Sequence, residues 1–117
     1  MAFLMLYIAD QAKFEVETVK SFLLASSKVR PVAAPRDHTF CCEYQTSEDV
    51  FIVRVTNDAE TIVLDGGSEA ALNAAMFIQK ASSAPVRIID ESYSFDHSLE
   101  DFENLDSLRR AFFGTDG

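Results

Sequence analysis

The chain has 117 residues, of which 48% are hydrophobic, and 19 acidic against 10 basic side chains give a formal net charge of −9. That length, with ten phenylalanines, suffices for one domain with its own core. The charge opposes non-specific binding to nucleic acid or to anionic lipid, and the aliphatic content excludes a disordered acidic tail.

The first element is "FLMLYIA" (3–9), apolar at nearly every position, as expected of a strand buried on both faces. It lacks a basic region before it and a small-residue cleavage site after it, so it reads as a strand and not as a signal peptide. No other run approaches the ~20 apolar residues of a membrane-spanning helix, and the expectation is a cytoplasmic protein. Asp10 stands where an N-cap belongs, ahead of a helix over "QAKFEVETVKSFLLASS". Val16, Val19, Phe22 and Leu23 share one face of that helix, with Glu17 and Lys20 toward the other.

Pro31 and Pro35 then break the pattern and mark a loop or a short edge strand. "HTFCCEYQ" (38–45), "VFIVRVT" (50–56) and "TIVLD" (61–65) are rich in β-branched and aromatic residues. The turn-forming "TSED" and "NDAE" between them predict an antiparallel meander. A second helix follows in "GGSEAALNAAMFIQKASS", with Ser68 as its N-cap and Leu72, Ala75, Met76 and Ile78 available for burial. "PVRIID" (85–90) reads as another strand, and after a loop Asn104 or Asp106 caps a last helix over "SLRRAFF" that Gly114 ends. The order predicts a single α+β domain over residues 1–117: a mixed, mainly antiparallel sheet of about five strands with two to three helices packed on it.

The motifs that carry chemistry are few. Cys41 and Cys42 are adjacent, point to opposite faces of a strand and have no zinc spacing, so they read as reduced, packed thiols. His38 is the nearest imidazole, but no third residue completes a nucleophile-activating set. "LDGGSEAA" resembles a phosphate loop only in its glycine turn: it has no G-x-G-x-x-G and no Lys-Ser or Lys-Thr pair, which leaves a tight strand-to-helix turn. Asp96, His97 and Glu100 are of metal-ligating types without diagnostic spacing. Neither a cofactor nor an enzymatic activity is expected.

The outstanding feature is "RIIDESYSFDHSLEDFENLD" (87–106). After Arg87 it holds no Lys or Arg, but carries Asp90, Glu91, Asp96, Glu100, Asp101, Glu103 and Asp106, threaded with Tyr93, Phe95 and Phe102. Negative charge near the start of the last helix accounts for Glu103 and Asp106. It does less for Asp90 through Asp101, where aromatic anchors beside steering charges have the composition of an interaction surface.

With "PVRIIDESYSFDHSLEDFENLDSLRRAFF" above all, the chain resembles the small acidic immunity proteins that bacteria keep against polymorphic or contact-dependent growth inhibition toxins. The resemblance implies a non-catalytic cytoplasmic protein that binds and blocks a cognate toxin domain, often a nuclease. It brings no fixed residue set. Charge does the assigning instead: a nuclease displays cations for a polyanion, and carboxylates can occupy that surface where phosphates would lie. Asp90, Glu91, Tyr93, Phe95, Asp96, Glu100, Asp101 and Glu103 are the expected partner-binding residues, facing a basic protein and neither nucleic acid nor a membrane. Two other readings stand beside this one: a DNA mimic that inhibits a nucleic-acid-binding complex, and a small metal-dependent enzyme or regulator using Asp96, His97 and Glu100. Should the acidic stretch not bind, the turns around Glu48, Asp49, Asp58 and Glu60 are the alternative surface.

Overall fold

The computed structural model describes residues 4–8, 12–34, 36, 38–45, 50–66, 69–82, 84–90 and 96–113. Strand β1 (Leu4–Ile8) is followed by helix α1 (Val16–Leu24) and strands β2 (Val29–Val32), β3 (His38–Gln45), β4 (Val50–Thr56) and β5 (Thr61–Leu64). Helix α2 (Glu69–Lys80), strands β6 (Val86–Asp90) and β7 (Asp96–Ser98), a 3-10 turn (Leu99–Asp101) and helix α3 (Leu105–Phe113) complete the order. The α+β expectation holds, with three helices and a larger sheet than the five strands expected. Seven strands pair in the order β2-β3-β4-β5-β1-β6-β7, and every described pairing is antiparallel.

The two additional strands are the edges, and both are short. β2 contains Pro31, which donates nothing to a ladder and therefore suits an edge. β7 spans three residues of the stretch expected as loop, pairing Asp96 with Ile89 and Ser98 with Arg87. So short a polar strand has no periodicity to betray it, and only its pairing with β6 makes it one.

One core gathers the inward residues of the strands and the apolar faces of all the helices. Leu4, Leu6 and Ile8 of β1 meet Val53, Val55, Ile62 and Leu64 of the meander there, with Val86 and Ile88 of β6. In α2, Ala71, Ala74 and Ala75 lie fully buried beside Leu72 and Ile78, and their small side chains let the helix sit close on the sheet. Tyr44 donates no charge to this interior. Burial pushes its phenol up, although Asn73 donates to the hydroxyl oxygen at 3.1 Å and works the other way.

Two expectations change. β1 is not buried on both faces: Met5 and Tyr7, alternating with Leu4, Leu6 and Ile8, are half-buried, on a sheet face that no helix covers among the described residues. Its continuous apolar run reflects an open face that is itself partly apolar. Helix α1 starts at Val16, after Glu15, and not behind Asp10, which lies outside the described residues. Residues 12–15 are non-helical because the Phe14 side chain enters the core while its N–H donates to the Ala59 carbonyl at 2.8 Å. From Val16 onward the helix matches its periodicity. Val19 and Leu23 are buried, and Phe22 meets Phe77 of α2 with ring centroids 4.4 Å apart.

Candidate interaction surface

The acidic stretch enters the structure through the β6–β7 pair, whose alternation sends successive side chains to opposite faces. Asp90 shares register with Leu4 and lies half-buried on the helix side. Asp96 is opposite Ile89 on the open face. There the Arg87 guanidinium reaches it at 3.0 Å, and the Tyr7 hydroxyl donates to it at 3.4 Å, linking β1, β6 and β7. The Tyr7 hydroxyl first, and then the Asp96 carboxylate, hold the Arg87 guanidinium more firmly protonated than usual. Asp96 is thus occupied within the molecule.

His97 points to the helix side, where its ring stands edge-on to Phe102 at 5.7 Å. Asp96 and His97 therefore face apart, which removes the convergence with Glu100 that a shared metal ion requires. No group of three His, Cys, Asp or Glu side chains placed to hold a metal ion occurs among the described residues.

Beyond β7 the chain turns on two apolar anchors. Leu99 is fully buried, Phe102 is half-buried against the core, and the Phe102 N–H closes the 3-10 turn on the Leu99 carbonyl at 3.2 Å. Three residues apart in a 3-10 turn, the two side chains share one side. The carboxylates between and after them turn outward: Glu100, Asp101 and Glu103 are all exposed, and none makes an ion pair among the described residues. At Asn104 the exposure ends in a cap. Its Oδ1 accepts the Ser107 N–H at 2.9 Å, while Ser107 Oγ donates back to the Asn104 carbonyl at 2.9 Å. Asn104, and not Asp106, caps α3. Asp106 lies in the first turn and is clasped by Arg109 and Arg110, whose guanidinium groups hold its carboxyl below the usual range.

The residues expected to bind a partner are consequently divided. Glu100, Asp101 and Glu103 form one exposed group, Asp96 belongs to an ion pair on the open sheet face, and Asp90 faces the other side of the sheet. Glu91, Tyr93 and Phe95 lie outside the described residues, as do Glu48 and Asp49 of the alternative surface. The remainder of that alternative is structural. Asp58 accepts from Thr56 Oγ1 at 2.6 Å and from the Glu60 N–H at 3.0 Å, bonds that hold its carboxyl below the usual range and shape the β4–β5 turn.

The remaining motifs resolve into packing. Cys41 and Cys42 are free thiols, 2% and 0% exposed, on opposite faces of β3. Burial, and after it the neighbouring Cys41, pushes the Cys42 thiol up to about 12, which disfavours the thiolate that reactivity needs. In "LDGGSEAA", Asp65 is engaged with Arg54 at 2.8 Å, and a Cβ on Gly66 would come within 3.3 Å of the Phe51 side chain. That glycine serves a close approach; Gly67 and Ser68 lie outside the described residues. No helix in the described residues is long and apolar enough to cross a membrane. The chain matches no family model, and comparison with curated proteins and with solved structures yields no match.

Proposed function

We propose that this is a non-catalytic acidic binding protein of the immunity type, which neutralises a basic toxin domain, most plainly a nuclease, by covering the cationic surface on which its substrate would lie. The observation that carries this reading is the group Glu100, Asp101 and Glu103. It is exposed and without ion pairs among the described residues, on a turn pinned by Leu99 and Phe102. The nearby carboxylate Asp96 is neutralised by Arg87 and Asp106 by Arg109 and Arg110 together, and Asp65 by Arg54. Unneutralised like charge costs folding stability unless a partner supplies the counter-charge. A pinned turn also presents its carboxylates with little backbone ordering entropy left to lose on binding. The concentration of this charge on one turn supports a compact cationic partner over the DNA-mimic reading, which calls for carboxylates spread at duplex-like spacing along a face.

The test is protection. The candidate toxin is the domain encoded immediately upstream, expressed with the unaltered protein or with a Glu100→Lys, Asp101→Lys, Glu103→Lys variant whose circular dichroism shows it folded. Charge reversal should abolish protection and weaken binding of the purified toxin domain by more than tenfold. Unchanged protection and affinity would move the binding surface elsewhere.

A further inference from the structure

The sheet face that no helix covers among the described residues carries a second surface, distinct from the acidic turn. Register aligns one row of side chains across it, running from Val32 and Cys41 through Arg54, Val63, Met5 and Ile89 to Asp96. Cys41 and Ile89 are buried on this face although they stand apart from the helix-side core. Half-buried Ile52 and 49%-exposed Val50 extend the apolar area along β4. Among the described residues, charges on this face come in opposed couples: Arg30 with Glu43 at 2.7 Å, Arg54 with Asp65 at 2.8 Å and Arg87 with Asp96 at 3.0 Å. They sum to zero on a chain whose total is −9.

We propose that this face pairs with the same face of a second copy, stacking two sheets about a two-fold axis. An isologous contact demands a surface complementary to itself, so it must present both signs of charge together with apolar area. This face does so, with arginines placed to meet the partner's carboxylates while Val63, Met5 and Ile52 lose water. The alternatives fit worse. A basic protein is drawn to the acidic turn, an acidic partner or nucleic acid is repelled by the net charge, and two copies meeting through the acidic turns repel each other. Seven strands at ~4.8 Å spacing and strands of ~20 Å span a sheet of roughly 600 Å² in projection, below the ~800 Å² per partner of a standard interface, so the pairing is expected to be weak and concentration-dependent.

Sedimentation equilibrium of the full chain tests this over about a hundredfold range of concentration, since self-association follows mass action. The expected result is a mass approaching twice that of one chain at the upper end. Val63→Glu places a carboxylate beside Arg54, which a single copy accommodates, but the two-fold contact then gains two buried like charges. This variant should remain at the mass of one chain throughout, with unchanged circular dichroism. If Val63→Glu does not fold, Ile52→Lys carries the same expectation from a half-buried position. A Glu100→Gln, Asp101→Gln, Glu103→Gln variant should still dimerise, which separates this surface from toxin binding. A single-chain mass at every concentration for the unaltered protein, or a dimer that persists in the folded Val63→Glu or Ile52→Lys variants, would overturn the proposal.

Discussion

Ala59 adopts φ 61°, the left-handed conformation that a Cβ disfavours, at the β4–β5 turn where its carbonyl receives the Phe14 N–H. The strain persists because the bonds of Asp58 to Thr56 and Glu60 over-determine the turn. Ala59→Gly should relieve it, stabilising the fold by about 0.5–1 kcal/mol after the greater freedom of glycine in the unfolded chain is subtracted. A urea midpoint that moves down instead of up would show the turn to be unstrained. Asp58 itself, with Asp106, contributes to the acid limb of stability. Both carboxyls are held below their usual range in the folded state, so their contribution is present above the unfolded value of about 4 and is lost as pH falls through the folded values. Urea midpoints measured between neutral pH and pH ~3 should fall less steeply for an Asp58→Asn, Asp106→Asn variant than for the parent. Equal slopes would assign the acid sensitivity to other carboxylates.

At the scale of elements, α3 shows how an end is made. Its two arginines clasp Asp106 on the outer face, and Leu108 is fully buried on the inner one, so the helix is held by both its charge pattern and its packing. The Asn104–Ser107 exchange satisfies N-terminal groups that would otherwise lack partners. Asn104→Ala should cost about 1 kcal/mol by thermal or urea unfolding, while Asn104→Asp should retain most of the cap. Loss of the cap would also loosen the chain immediately after Glu103, so binding of the proposed basic partner should weaken along with stability. An Asn104→Ala variant with unaltered stability would mean that water replaces the cap without loss.

For the whole molecule, the distribution of charge matters more than its sum. Among the described residues, neutral couples occupy the open sheet face, and unneutralised carboxylates occupy the turn beside its β7 edge. A basic partner of the kind proposed would therefore be steered toward that turn. Rim charges act chiefly on encounter, and salt screens them beyond ~8 Å at physiological ionic strength. Glu100→Gln with Asp101→Gln should slow association several-fold at low salt and flatten its salt dependence, with a smaller change in dissociation. Stopped-flow or surface-based kinetics at several salt concentrations would read this directly, and an unchanged salt slope would remove these two residues from the encounter surface.

Local chemistry was legible wherever pattern and burial agree. The periodicity of α1 and α2 and the β-branched runs of the meander follow from side-chain spacing and backbone preference, and the folded chain uses them so, whereas spacing left Pro31 between a loop and an edge strand and the cap between Asn104 and Asp106 until the fold chose the edge and Asn104. Acidity was legible too, since carboxylates can be counted without a fold. The partition of those carboxylates was not. Asp96 and Glu100 are four residues apart in sequence, yet one is neutralised by Arg87 and the other stands unpaired among the described residues, because β7 joins the sheet and the chain then leaves it at Leu99. Likewise the apolar run of β1 suggested burial on both sides, and only the placement of all the helices on one face left Met5 and Tyr7 on an open one. The sequence determined which segments extend or coil and how much charge they carry, because those properties reside in neighbouring residues. Tertiary structure alone decided which charges find partners and which apolar face stays uncovered, because those depend on residues brought together from distant parts of the chain, as Tyr7, Arg87 and Asp96 are.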